Sequence, residues 1–321
     1  MSGNWAKRPW RNYMRLSEQE WVETFKGIYQ GEVGFDIPMK EYTNLLIGGP
    51  ADVFLRPEDP LSIRNLMVTL KKKNVPFFTL GGGTNVLVRD GGIEGVVLSL
   101  KEFRRIEVLK ETENYAELFV EAGVPLQKLV NFCKERGYAG VEGLTGVPGS
   151  VGGAICGNAG SYGCEMKDTL VSVAIMDASG RLDRFKAEGL GFGYRSSGIA
   201  PTDIVLSANM KLGRDEKEAV AARTGEFFAE KKQTQPISER SAGCVFKNPE
   251  GTPAGRLIDE AGCKGLKVGG IEVSMVHANF FVNAGAGTAA DYLELIDRVS
   301  SAVQKKFGLT LEPEIRVVGR E

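Results

Sequence analysis

The sequence predicts an α+β protein built from two domains, and three observations carry that prediction. Segments with strand character alternate with helical periodicities along most of the chain. At 321 residues the chain is long enough for two hydrophobic cores. A charged, helix-like stretch ends at the turn signal Thr234-Gln235-Pro236, which marks a boundary.

Residues 1 to 37 read as an N-terminal extension, with Trp5, Arg8, Trp10 and Arg11 near its start. Within it Ser17 and Glu20 have the spacing of a capping box. The first domain is assigned to 38–213. It opens on IGGPADVFLRPEDP, a strand between turn signals, and then Ile63, Leu66, Met67 and Leu70 recur at helical spacing between Leu61 and Asn74, ahead of Pro76. PFFTLGGGTNVLVRDGG follows as strand, glycine loop and strand, and Val96 to Leu100 continues as β. Residues 105–109 and 115–122 form a hairpin pair, and Leu126, Leu129, Val130 and Cys133 share one helical face. Val171, Val173 and Ile175 alternate as a half-buried strand, and Ile204 to Met210 reads as another.

The charged run Arg214 to Lys232 reads as a helix, and counting it in, the second domain spans 214–321. Beyond the turn at 234–236 come SAGCVFKNP, a helix around Arg256 to Gly262 and a strand from His277 to Asn283. A long helix starts at Thr288, with Tyr292, Leu295, Ile296, Val299, Ala302, Val303 and Phe307 on one face, and a last strand runs through Ile315 and Val317. No repeat or low-complexity segment is present.

Composition excludes several classes of function. Forty basic residues nearly balance 41 acidic ones, without a basic stripe interleaved with aromatics, so nucleic-acid binding has no support. The five cysteines are odd in number and lack paired metal-ligand spacing, which argues against a disulfide framework or a zinc site and fits a reducing cytoplasm. No apolar run is long enough for a membrane span or a signal peptide, so a cytoplasmic protein is expected, away from membranes.

Glycine usage is the strongest functional signal. Gly143 to Gly163, GLTGVPGSVGGAICGNAGSYG, holds eight glycines where the chain-wide frequency would place about three. Glycine is costly to order, so such a run implies positive φ or backbone pressed against something that leaves no room for a Cβ. Its interleaved Leu144, Val147, Val151, Ile155 and Cys156 argue for a buried segment against a flat or anionic cofactor rather than a solvated loop. LGGGTNVLV, with Gly81, Gly82, Gly83, Thr84 and Asn85, is either a plain β-turn or a nest of N–H groups for a pyrophosphate. Two such clusters suit a dinucleotide. Gly285 to Ala290 matches the GxGxxA dinucleotide fingerprint, yet the chain ends too soon after it for a doubly wound sheet, so it reads as a strand-to-helix turn capped by Thr288.

Other residues stay open on spacing alone. Cys244 is either an inert small hydrophobe or a thiol with a chemical role, and His277, the chain's single histidine, reads as a core residue of an apolar strand. Arg195 stands among small loop residues in Tyr194-Arg195-Ser196-Ser197. Glu312 and Glu314 share a face of the last predicted strand, and nothing in the spacing joins Glu314 to Arg195.

IGGPAD, LGGGTNVLV, GVPGSVGGAICGNAGSYG, FGYRSS, SAGCVFKNP, HANFFVN and LEPEIRVVG occur in this order between Tyr42 and Gly319. Together they make the chain closely similar to the UDP-N-acetylenolpyruvoylglucosamine reductases, the MurB-type flavoenzymes of peptidoglycan synthesis. The resemblance implies an FAD-binding domain of the vanillyl-alcohol-oxidase (PCMH) type followed by a smaller substrate-binding domain whose last strand returns toward the flavin. It implies non-covalent FAD, NADPH as co-substrate, and UDP-N-acetylglucosamine enolpyruvate reduced to UDP-N-acetylmuramate in one pocket that serves both in turn. No metal is implied, and no oligomeric state. The expected FAD contacts are Gly81, Gly82, Gly83, Thr84, Asn85 and Val86 in one loop and Gly146, Pro148, Gly149, Ser150, Gly152, Gly153, Ala154, Asn158 and Gly160 in the other.

The family's arginine of the YR motif maps onto Arg195, the glutamate of the C-terminal motif onto Glu314, and the proton donor of the SAG-S/C motif onto Cys244. Tyr194, Lys247 and Asn248 fall at substrate contacts. Leu45 and Leu46 stand where many relatives carry an aromatic and a basic residue, and Val276 where a lysine is common; the extra tyrosine-bearing loop of some relatives has no counterpart, which implies the shorter subtype. Two rival readings use the same scaffold: an FAD oxidase, and a flavin-binding protein with a dead site.

Overall fold

A computed structural model of the chain describes residues 15–321. The first 14, with their tryptophans and arginines, lie outside the described residues. Burial is nearly continuous along strand Pro50–Pro57, as in a strand covered on both faces. It sits inside a four-stranded sheet ordered Gly31–Pro38, Pro50–Pro57, Ile93–Ser99, Phe77–Leu80, in which only the first pairing is antiparallel. Val53 and Leu55 face a large core under helix Pro60–Lys72, which starts at the Asp59 cap and buries Ile63, Leu66, Met67 and Leu70. Ala51 and Phe54 face a smaller cluster with Met39, Val88 and Val97.

A second, antiparallel sheet is ordered Leu182–Lys186, Leu170–Met176, Ile204–Arg214, Tyr115–Glu121, Ile106–Glu111, and Tyr138–Ala139 pairs with the end of Ile204–Arg214. It shares the large core with the first sheet, with helices Leu126–Lys134 and Val151–Cys156 contributing to the same core. A third sheet, ordered Ser241–Cys244, Phe280–Asn283, Ile271–Val273, Lys267–Val268, has its own core with helices Ala254–Glu260 and Ala289–Phe307. That core also takes in Leu45, Ile47 and Leu87. The last strand, Arg316–Val318, pairs in parallel with Val86–Val88, so the chain's end returns beside the first glycine loop.

Several expectations need correction. Residues 18–37 are no extension: helix Glu18–Phe25 buries Trp21 and Phe25, stacked at 5.3 Å, in the large core, and Gly31–Pro38 is a strand of the first sheet. The Ser17–Glu20 capping box is present. The helix Lys217–Thr234, counted above with the second domain, packs on the first: Phe227 stacks on Tyr162 at 4.8 Å and Arg223 pairs with the buried Glu142 at 2.8 Å. We therefore propose the division between domains after this helix, at the turn 234–236. In Leu170–Met176 every residue except Val171 is buried, because a bulge between Leu170 and Ser172 breaks the alternation and the strand has neighbours on both sides. His277 lies in the turn before strand Phe280–Asn283, where its Nδ1 accepts from Asn279 N at 3.2 Å.

At Gly285 to Ala290 the fingerprint is a turn. Thr288 caps the following helix in a reciprocal capping box with Asp291, and the leading Ala289 and Ala290 N–H groups donate to the Asp90 carboxylate. Its leading donors are taken by protein, not held open for phosphate.

Candidate active site

The two glycine clusters, distant in sequence, close on each other. A Cβ on Gly82 would stand 2.7 Å from Gly149 Cα, one on Gly81 would stand 2.8 Å from Ser150 Oγ, and Thr84 Oγ1 donates to Pro148 O at 3.2 Å. Gly83, Gly146 and Gly149 have φ of 66°, 67° and 126°, values that glycine adopts without cost. The second cluster is not all loop: Ser150 caps helix Val151–Cys156 through Gly153 N. Together the clusters wall a cleft of about 2560 Å³ that reaches the third sheet.

All the expected cofactor positions line this cleft except one. Asn158 is fully buried and occupied by protein: its Nδ2 donates to Glu165 Oε2 and Gly193 O, and its Oδ1 accepts from Lys167 N. The binding to Gly193 makes it a brace for the loop that carries Arg195.

Arg195 is at the tip of that loop, where Gly193 and Ser196 exchange backbone hydrogen bonds across the two residues between them. Its φ is 52°, strained for a residue with a side chain and held by the surrounding bonds. From there its Nε meets Glu314 Oε1 at 3.0 Å, although 119 positions separate the two in the sequence. Glu314 is fixed from two directions: its N–H donates to Val245 O at 2.7 Å, and its carbonyl accepts from Asn85 Nδ2 at 3.2 Å. Burial pushes its carboxyl above the ordinary range, and Arg195 and then Lys247 pull it partly back.

Cys244 ends strand Ser241–Cys244 opposite Phe280, just after Gly243, whose φ of 77° fits a break in the ladder register between Ser241 and Cys244. Asn279, 1% exposed, pins the next residues: Phe246 N donates to its Oδ1 at 2.9 Å, and its Nδ2 donates to Phe246 O at 2.7 Å. The Cys244 thiol is pushed up to about 12, first by burial and then by the Glu314 charge, against the opposing pull of Arg195, the Asn279 amide and Lys231. That shift favours the protonated thiol over the thiolate nucleophile.

Lys247 lines the cleft and pairs with Glu312 at 2.6 Å. Glu312 pairs with Lys247 and Glu314 with Arg195, and the two acids flank Pro313, which bridges Phe246 ahead of the last strand. Tyr194 and Asn248 do not line the cleft; they meet beside it, Asn248 N donating to the Tyr194 hydroxyl at 3.3 Å.

Comparison with known proteins adds an independent observation. Residues 51–186 match the family model for an FAD binding domain, and residues 235–318 match that for the C-terminal domain of UDP-N-acetylenolpyruvoylglucosamine reductase. A protein of that name from Syntrophus aciditrophicus is 38% identical over 299 residues, covering 93% of this chain and 96% of its own. The one from Geotalea uraniireducens is 41% identical over 290 residues, 90% of this chain and 95% of its own. The chain belongs to the UDP-N-acetylenolpyruvoylglucosamine reductase family. A crystal structure of the reductase from Thermus caldophilus superposes with a TM-score of 0.77 at 37% identity, covering 91% of this chain and all of that one.

FAD is the cofactor of this family's fold, and the residues present fit it. Two buried polar atoms on the cleft wall, Asn85 Oδ1 and Thr79 Oγ1, have no partner among the described residues, and buried polar groups without partners are rare unless a ligand supplies them. The glycine walls leave room where side chains would intrude.

One cleft residue has no signal in the sequence. Lys231 is 2% exposed, lines the cleft, and donates to Thr145 O at 2.7 Å. In a run of charged residues it reads as part of a solvated helix face.

Proposed function

We propose that this chain is an FAD-dependent reductase that takes reducing equivalents from NADPH and reduces the enolpyruvyl double bond of UDP-N-acetylglucosamine enolpyruvate, giving UDP-N-acetylmuramate. One observation carries the reading: a protonated thiol, a guanidinium and a carboxyl from three distant parts of the chain converge in the cleft walled by the two glycine clusters. Bound FAD supplies the hydride chemistry, being reduced by NADPH and reoxidised by the substrate in the same cleft. The loops around Gly81 to Val86 and Gly146 to Ala154 hold it.

Arg195 and Glu314 receive the substrate carboxylate. Hydride joining the terminal vinyl carbon pushes the double-bond electron pair onto the carbon beside that carboxylate, and Arg195 stabilises the resulting enolate-like charge. Removing such a donor costs on the order of 10²–10³ in rate. Glu314, with its carboxyl raised by burial, orients the carboxylate or shares a proton with it. Cys244 then gives its thiol proton to the carbanionic carbon, and the thiolate left behind is reprotonated from solvent. A thiol kept protonated well above neutrality is in its proton-carrying form throughout the neutral pH range. Lys247, which lines the cleft, is the proposed contact for the diphosphate or sugar, and Tyr194 and Asn248, which meet beside the cleft, would reach that end of the substrate only from its edge.

The test is an anaerobic cycle. The FAD-loaded protein should lose its yellow colour with NADPH and regain it with UDP-N-acetylglucosamine enolpyruvate, faster than with oxygen. Recovery with oxygen alone would make the protein an oxidase, and no reduction by NADPH would remove the proposed donor.

A further inference from the structure

Lys231 is buried, and among the described residues it has no counter-ion. Its stem runs from helix Lys217–Thr234 under the second glycine cluster, where a Cβ on Gly146 would stand 3.1 Å from Lys231 Cδ. The ammonium has three N–H groups, and one of them finds Thr145 O. Its other contact is the Tyr162 ring, 5.3 Å from the nitrogen to the centroid, and among the described residues it forms no ion pair. Burying a lysine in this way is unfavourable unless something else meets the charge. Burial, followed by repulsion from Arg195, lowers its affinity for a proton to a pKa of about 8, with Cys244 acting in the opposite sense. Lys231 lines the same cleft as Arg195, Cys244 and Glu314, the residues assigned to the reaction.

We propose that Lys231 is the cleft's receptor for ligand negative charge, completing with Arg195 a pair of cations that a bound anion bridges. The inference rests on the function proposed above. Two ligands bring that chemistry: the flavin, when electrons are added to its ring, and the substrate, through its carboxylate. The helix, the glycine loop and the cation together form the receptor, and the lysine binds charge without transferring a group.

The experiment compares FAD-loaded wild type, Lys231→Met and Lys231→Arg. Sulfite adds to an oxidised flavin ring through its sulfur lone pair and leaves negative charge on the ring, so its affinity, read from bleaching of the visible band, reports the flavin arm. Binding of UDP-N-acetylglucosamine enolpyruvate to the oxidised enzyme, read from the shift of the same band, reports the substrate arm. Lys231→Met should weaken one arm by about 10- to 100-fold, the range of a hydrogen bond to a charged group, and Lys231→Arg should restore most of it. Whichever arm moves identifies the ligand. Unchanged affinity in both arms, with FAD content and melting temperature as in wild type, overturns the inference. Should Lys231→Met fail to fold, Lys231→Gln, which keeps a donor for Thr145 without the charge, is judged by the same two affinities. Failure of wild type itself to bind FAD or to be reduced by NADPH would instead refute the proposed function.

Discussion

Cys244 should behave as the least reactive kind of thiol, and the effect is large enough to measure directly. Alkylation by iodoacetamide requires the thiolate. With the thiol pushed up to about 12, its thiolate share at pH 8 is about 10⁻⁴, whereas an ordinary thiol near 8.5 is roughly a quarter ionised. Cys244 should therefore react roughly three orders of magnitude more slowly than a free thiol, and its rate should climb about tenfold per pH unit without a plateau up to about pH 11. Timed alkylation followed by mass spectrometry of the Cys244 peptide separates it from the other four cysteines. The sign extends to stability. The folded protein holds this proton more tightly than the unfolded chain, so the contribution is complete below about pH 8.5 and is lost as pH rises toward 12. A plateau with a midpoint below pH 8 would show an activated thiolate and would refute the assignment of Cys244 as an acid.

Gly82→Ala would place a methyl against the backbone of Gly149, which cannot give way as a flexible side chain would. The loops should separate at a cost of about 1–3 kcal/mol, and the purified protein should carry less FAD, read from its visible absorbance; full occupancy would show that the closure of the two loops is irrelevant to the cofactor. Trp21→Ala should lower the unfolding free energy by about 3–5 kcal/mol, measured by urea titration, because Trp21 is 1% exposed in the large core. A loss no larger than that of a surface substitution would return residues 18–37 to the status of a detachable extension.

What was legible in the sequence was what local rules govern. The capping box at Ser17, the N-cap at Thr288, the helical face from Ile63 to Leu70 and the glycine excess each follow from constraints within a few residues of chain, and each has a structural counterpart. The failures concern tertiary facts. Asn158 sits in a run of cofactor-like text, yet its amide is spent on Gly193, which only the folded loop brings near. Lys231 looks like any lysine of a charged helix until that helix docks on the glycine loop. The Arg195–Glu314 pair depends on a turn with positive φ at one end and on Asn85 gripping the Glu314 carbonyl at the other. The family resemblance named both residues, but no spacing rule could have joined them.

The proposed mechanism requires Cys244 to deliver the proton in the second half of the cycle and to take no part in the first. Rapid mixing of the FAD-loaded Cys244→Ala enzyme should show flavin reduction by NADPH close to wild type, and reoxidation by UDP-N-acetylglucosamine enolpyruvate slower by about 10²-fold or more, the lower range for a positioned general acid. Cys244→Ser should recover much of that second rate. Equal losses in the two half-reactions, or reoxidation at the wild-type rate without the thiol, would contradict the claim.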